Sequence, residues 1–169
     1  MTFLAVLLIF FIVAVDQITK QIVLGAVGIG GSPIPVIEGF FYITCHRNSG
    51  AAWGILQNSR VFFLVLTTVM LVVMIVFLVR AKSTFFLFAL AFVIGGALGN
   101  YIDRLLVGSV VDFLDFYIFG YNFPTFNAAD SSIVLGAALL IICTLRGGVF
   151  DAKIPEIPPD GKEDDAPDL

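Results

Sequence analysis

Four stretches of almost unbroken apolar sequence, at about residues 2–24, 61–79, 84–107 and 128–145, constrain this chain more than any other feature. A bilayer core takes about 20 helical residues to cross, and within it every backbone N–H and C=O must be satisfied inside the segment. Each run is close to that length, so the pattern predicts four transmembrane helices. An ordinary soluble domain is excluded, because 59% of the 169 residues are apolar and 13% charged. The first run opens MTFLAVLL without a basic preface and ends in DQITK where a small-residue cleavage signal would stand. It is therefore expected to stay as a span rather than act as a removable leader.

Between the first two spans, residues 25–59 are rich in Gly, Pro and β-branched residues, and the alternation around VIEGFFYIT predicts short strands. The expected fold is thus an all-α membrane protein: four transmembrane helices with a small extracytoplasmic β platform between helices one and two. RAKS alone joins helices two and three. Residues 1–147 form the membrane domain in this reading. Residues 148–169 form an acidic, Pro- and Gly-bearing tail with little to bury, expected to be disordered and cytoplasmic.

The formal charge of −4 reflects that tail, which holds seven of the thirteen acidic residues. No basic cluster interleaved with aromatics is present, which sets nucleic acid aside. Cys45, read in a loop, and Cys143, deep in the last span, are too far apart for a disulfide. One histidine and no CxxC argue against a metal site, and no cofactor is implied.

Four spans put both termini on one side. DQITK, RNSGAAWG, GNYIDR, VVDF and FNAAD then all fall at the opposite face. The basic residues at the two faces favour cytoplasmic termini by the positive-inside rule, so the polar cluster faces outward.

Polar side chains at membrane depth are costly and usually mark function. Asp16 and Lys20, four apart, can pair on one helix face, where an anchoring role competes with a functional one. Asn100 can reach Asp103 or Arg104, and Gly95 and Gly99 form a GxxxG that lets another helix approach closely. Asp112, just beyond helix three, and Asp130, one turn into helix four, can be brought together by a short outer loop. Two carboxyls in one site cannot both ionise easily, which leaves a base to activate water and an acid for the leaving amine. Asn127 and Asp130 also fit a helix N-cap and its N3 partner, and Asp115 competes with Asp112. A Ser/His/Asp triad would need His46 in a loop. A Ser/Lys dyad would use Lys20 with Ser49, Ser109, Ser131 or Ser132. A small transporter is a further alternative, but it predicts polar residues through the whole membrane depth, and here they gather at one end. An intramembrane aspartyl protease of the presenilin or prepilin peptidase kind would need a GxGD motif in a span, and none is present.

Taken together and in order, DQITK, RNSGAAWG, GNYIDR with VVDF, and FNAADS resemble the lipoprotein signal peptidase (signal peptidase II) family of bacteria over about Asp16 to Ser132. The resemblance implies an inner-membrane aspartic endopeptidase that removes the signal peptide from prolipoproteins carrying a diacylglyceryl-cysteine. It assigns Asp112 and Asp130 as the catalytic dyad, choosing Asp112 over Asp115. It matches Asp16, Lys20, Asn48, Asn100, Arg104 and Asn127 to the polar residues that orient carboxylates and substrate. The implied partners are prolipoprotein substrates and membrane lipids, with the chain acting as a monomer. The sequence departs from the family pattern at Cys45 and His46 and in its acidic tail.

Overall fold

The computed structural model describes residues 1–50 and 56–146. Part of the RNSGAAWG stretch and the tail expected from residue 148 lie outside the described residues. All four expected spans are helices: α1 (Thr2–Ala26), α2 (Arg60–Arg80), α3 (Thr84–Leu106) and α4 (Ala128–Leu145), each long and apolar enough to cross a membrane. The chain is a multi-pass membrane protein.

Helix α3 is the centre of the bundle, with 56% of its spanning window buried against 11% for α2. Its small residues explain why. In lipid, helices gain nothing from hiding apolar surface from tails that are equally apolar, so close van der Waals contact must hold them. A Cβ on Gly95 would stand 2.9 Å from Ile12 Cβ, and one on Gly99 would stand 2.5 Å from Asp16 Oδ2, so the GxxxG pair is the seat of α1. Gly96 lies against the Ala129 carbonyl and Ile133, and Gly136 of α4 returns the contact at Val93 and Ala89. Ala5, Ile9, Leu71, Leu78, Leu87, Leu90, Ala91 and Ile94 fill the bundle at the end where the N-terminus lies. Outward-facing Phe3, Phe10, Val72 and Val79 are left for lipid.

The expected small sheet is present, and it draws strands from a second segment as well. Strands β1 (Ile34–Ile37) and β2 (Phe41–Asn48) come from the segment between α1 and α2, but β3 (Val110–Ile118) and β4 (Tyr121–Asn122) come from between α3 and α4. They form one antiparallel four-stranded sheet in the order β1-β2-β3-β4. VVDF is therefore a strand, not a short loop beyond helix three. Its first four residues are all buried, so the two-residue alternation that marks a half-exposed strand is hidden, and its partner β2 lies more than sixty residues earlier. Gly39, at φ +76°, makes the turn between β1 and β2. Phe41 stacks on Phe116 across the strands at 4.4 Å. Val111, Phe113 and Cys45 pack on Val23, which docks the sheet on the end of α1. Cys45 is thus buried in β2 rather than placed in a loop, and burial pushes its thiol pKa up against the pull of Arg47. Both cysteines are free.

Candidate active site

Asp112 is the third residue of β3 and Asp130 the third of α4, so a strand and a helix end deliver the two carboxyls. Helix α4 begins where Asn127, in an extended conformation, accepts a hydrogen bond from the Asp130 amide at 2.9 Å. In return the Asn127 amide donates to Asp130 Oδ2 at 3.2 Å. This is the capping box read from the sequence, and it leaves Asp130 Oδ1 for Asn100 Nδ2, which donates to it at 2.7 Å. The Asn127 side chain donates through Nδ2 to Asp112 Oδ1 at 2.7 Å and to Asn100 Oδ1 at 3.2 Å. Asn48 Nδ2 donates to the other oxygen, Asp112 Oδ2, at 2.9 Å. Asp112, Asn127, Asn100 and Asp130 thus form one chain of hydrogen bonds, and Asp130 both caps α4 and lines the adjoining cavity.

Both carboxyls line a cavity of about 260 Å³ with Asn48, Asn100, Arg104 and Phe126. Arg104 reaches it from α3, donating to the Gly50 carbonyl at 3.1 Å and lying over the Phe63 ring at 4.8 Å. Its Nε is buried without a partner among the described residues. Burial pushes the Asp112 carboxyl up to about 6; the hydrogen bond from Asn48 opposes this, the charge of Asp130 adds to it, and Asn127 and Lys20 pull it back.

Behind the cavity lies a buried ionic network. Lys20, 1% exposed, donates to Asp16 Oδ2 at 2.8 Å, Asp103 Oδ2 at 2.8 Å and Asn100 Oδ1 at 3.1 Å. Those three acceptors match the three N–H donors of an ammonium, the condition under which a charge can be buried. Lys20 is therefore neither a snorkelling anchor nor poised against a serine. Ser131 and Ser132 donate instead to the carbonyls of Asn127 and Phe92. Asp16 Oδ1 accepts from the Ala129 amide at 2.9 Å, so a residue of α1 satisfies one of the orphan amides that open α4. His46 is exposed on β2.

Of the residues singled out, Asp112, Asp130, Asn48, Asn100 and Arg104 line the cavity. Asn127 bridges them from beneath, and Asp16 and Lys20 hold the helix ends from behind. Asp115 belongs to a different cavity. Two participants were not picked out as site residues: Asp103, the second carboxylate on Lys20, and Gln17, whose Nε2 donates to Asp16 Oδ2 and Asp103 Oδ1 at 3.1 and 3.0 Å. The signal for Asp103 was its place three residues after Asn100, on the same helix face.

The family model for signal peptidase (SPase) II matches residues 8–146. The chain belongs to the signal peptidase II family. Lipoprotein signal peptidases of Staphylococcus aureus strains JH9 and Newman are each 45% identical over 144 residues, covering 84% of this chain and 88% of the relative. A bacterial membrane enzyme solved by the in meso method at 2.3 Å resolution matches with a TM-score of 0.79 at 41% identity, covering 96% of this chain and 94% of that one. A second, at 1.9 Å resolution, matches with a TM-score of 0.77 at 44% identity, covering 84% and 92%. As a signal peptidase II the protein is a peptidase, and its cavity lies between the ends of α3 and α4 and strand β3.

Proposed function

We propose that the protein is an aspartic endopeptidase that removes the signal peptide from diacylglyceryl-modified prolipoproteins at the outer face of the cytoplasmic membrane. The observation that carries this reading is the pair Asp112 and Asp130 on one cavity, joined through Asn127 and Asn100. Similarity to the lipoprotein signal peptidases of Staphylococcus aureus supports the substrate class.

The reaction needs one ionised and one protonated carboxyl. The ionised one takes a proton from a water molecule, whose oxygen attacks the scissile carbonyl carbon while the protonated one donates to the carbonyl oxygen. The tetrahedral intermediate collapses as a proton passes to the leaving nitrogen, and the C–N bond breaks. Asn48, Asn100 and Asn127 hold the carboxyls in register, and Arg104 binds substrate backbone beside them. Asp16 and Lys20 fix the ends of α1, α3 and α4 that carry those groups. In this reading the termini are cytoplasmic, residues 1–147 are the peptidase unit, and one chain suffices. The substrate's acyl chains stay in membrane lipid.

Purified protein in lipid, given a diacylglyceryl-modified precursor and the same precursor unmodified, is expected to cleave only the first, on the amino side of the modified cysteine. Cleavage of neither, or of both equally, overturns the substrate assignment.

A further inference from the structure

A second cavity, of about 330 Å³, is lined by Pro33, Gly39, Tyr42, Asp115 and Tyr117 and shares no residue with the first. Tyr42 stands opposite Asp115 in the β2–β3 ladder, and Tyr117 follows two residues later on the same face of β3. Asp112, three residues before Asp115, belongs to the other face. Asp115 is 5% exposed, and its Oδ1 is buried with no hydrogen-bond partner among the described residues. Each oxygen of Asp112, by contrast, accepts from an asparagine. A carboxylate oxygen taken out of water without a donor is a strong demand for one.

The surroundings narrow what can meet that demand. The Tyr42 and Tyr117 rings meet edge to face at 5.5 Å beside Asp115, and aromatic walls with a carboxylate suit a cation with N–H donors. The phenol oxygens accept from the Gly39 amide at 2.8 Å and from Asn122 Nδ2 at 3.2 Å, and neither hydroxyl is a partner of Asp115 Oδ1. The exposed His46 acts on Asp115 through its charge, but no hydrogen bond joins them. Residues adjoining the cavity in sequence, Ile34, Ile37 and Phe40 on one side and Ile118 and Phe119 on the other, expose apolar surface. Exposed apolar and aromatic side chains beside a membrane bundle favour the interfacial zone.

We propose that this cavity is a binding site for a primary ammonium group, held by Asp115 between Tyr42 and Tyr117 and supplied by the headgroup of an amine-bearing phospholipid. The inference is independent of the peptidase reading, since it concerns the other face of the sheet. Full-length protein is placed in phosphatidylcholine bilayers with and without phosphatidylethanolamine, and its thermal unfolding is followed. The ethanolamine lipid is expected to raise the Tm of wild type by several degrees and to leave Asp115→Asn unmoved, with the variant no less stable than wild type in phosphatidylcholine alone. Mono- and dimethylation of the lipid amine, tested on wild type only, are expected to shrink the rise step by step. Free ethanolamine added to phosphatidylcholine bilayers separates the sources: a rise equal to that from the lipid makes the ligand a soluble amine, and no rise ties it to the membrane. An equal response from wild type and Asp115→Asn, or indifference to methylation, overturns the proposal.

Discussion

Asp112 is held in a state that favours its protonated form. Its ordinary value of 3.8 is raised to about 6, mainly because β3 buries it. The sign for stability follows from linkage: unfolding frees the carboxyl to ionise, so the fold keeps this contribution in full below about pH 4 and loses it as pH rises through about 6. For catalysis the same shift places a titration within the working range of an acid–base pair. The charged groups around it are Asp130 on α4, Lys20 on α1 and Arg104 on α3. The hydrogen bond from Asn48 favours the ionised form. Asn48→Ala is therefore expected to move the inflection near pH 6 in a profile of kcat/KM to higher pH, and an inflection that stays put or falls contradicts the assignment. At this scale the sequence was informative where spacing is local. The Asn127–Asp130 cap and the Asp16–Lys20 pair are both written in three- and four-residue separations. The bridge from Asn127 to Asp112 spans two elements and has no spacing to announce it.

Among the elements, the helices were legible to within a few residues because apolar length alone defines a span. Strand β3 was not, for it is buried on both faces at its start and pairs with a strand from the far side of two helices. Glycines on α3 show how element packing reaches the site. Gly99 leaves room for the Asp16 carboxyl, which caps the Ala129 amide one residue from Asp130. A methyl group there must displace Asp16 or push α1 away. Gly99→Ala is expected to cost about 1–3 kcal/mol of stability, the usual range for overpacking, and to lower kcat at least tenfold. Thermal unfolding in detergent read beside single-turnover cleavage checks both. A variant with wild-type kcat would show that the α1–α4 contact does not position Asp130.

Across the whole molecule, the polar groups lie at one end and the apolar cluster from Ala5 to Ile94 fills the other. That asymmetry suits a site served from one side rather than a path through the membrane. The predicted orientation is checked with cysteines at Phe119, fully exposed at the β3–β4 turn, and at Lys82, exposed between α2 and α3. The native thiols are buried and give little background. In intact cells a membrane-impermeant maleimide is expected to label Phe119→Cys and to reach Lys82→Cys only after permeabilisation, and the reverse pattern would invert the topology.

The central claim is that Asp112 and Asp130 together carry the chemistry. Its most direct test is cleavage of a diacylglyceryl-modified prolipoprotein by wild type, Asp112→Asn and Asp130→Asn, with thermal unfolding at pH 8 confirming each fold. The account predicts that each substitution lowers the rate by about 100-fold or more while the variants remain folded. A folded variant of either residue that cleaves at close to the wild-type rate would contradict it, and Asp130 would then be a helix cap and nothing more.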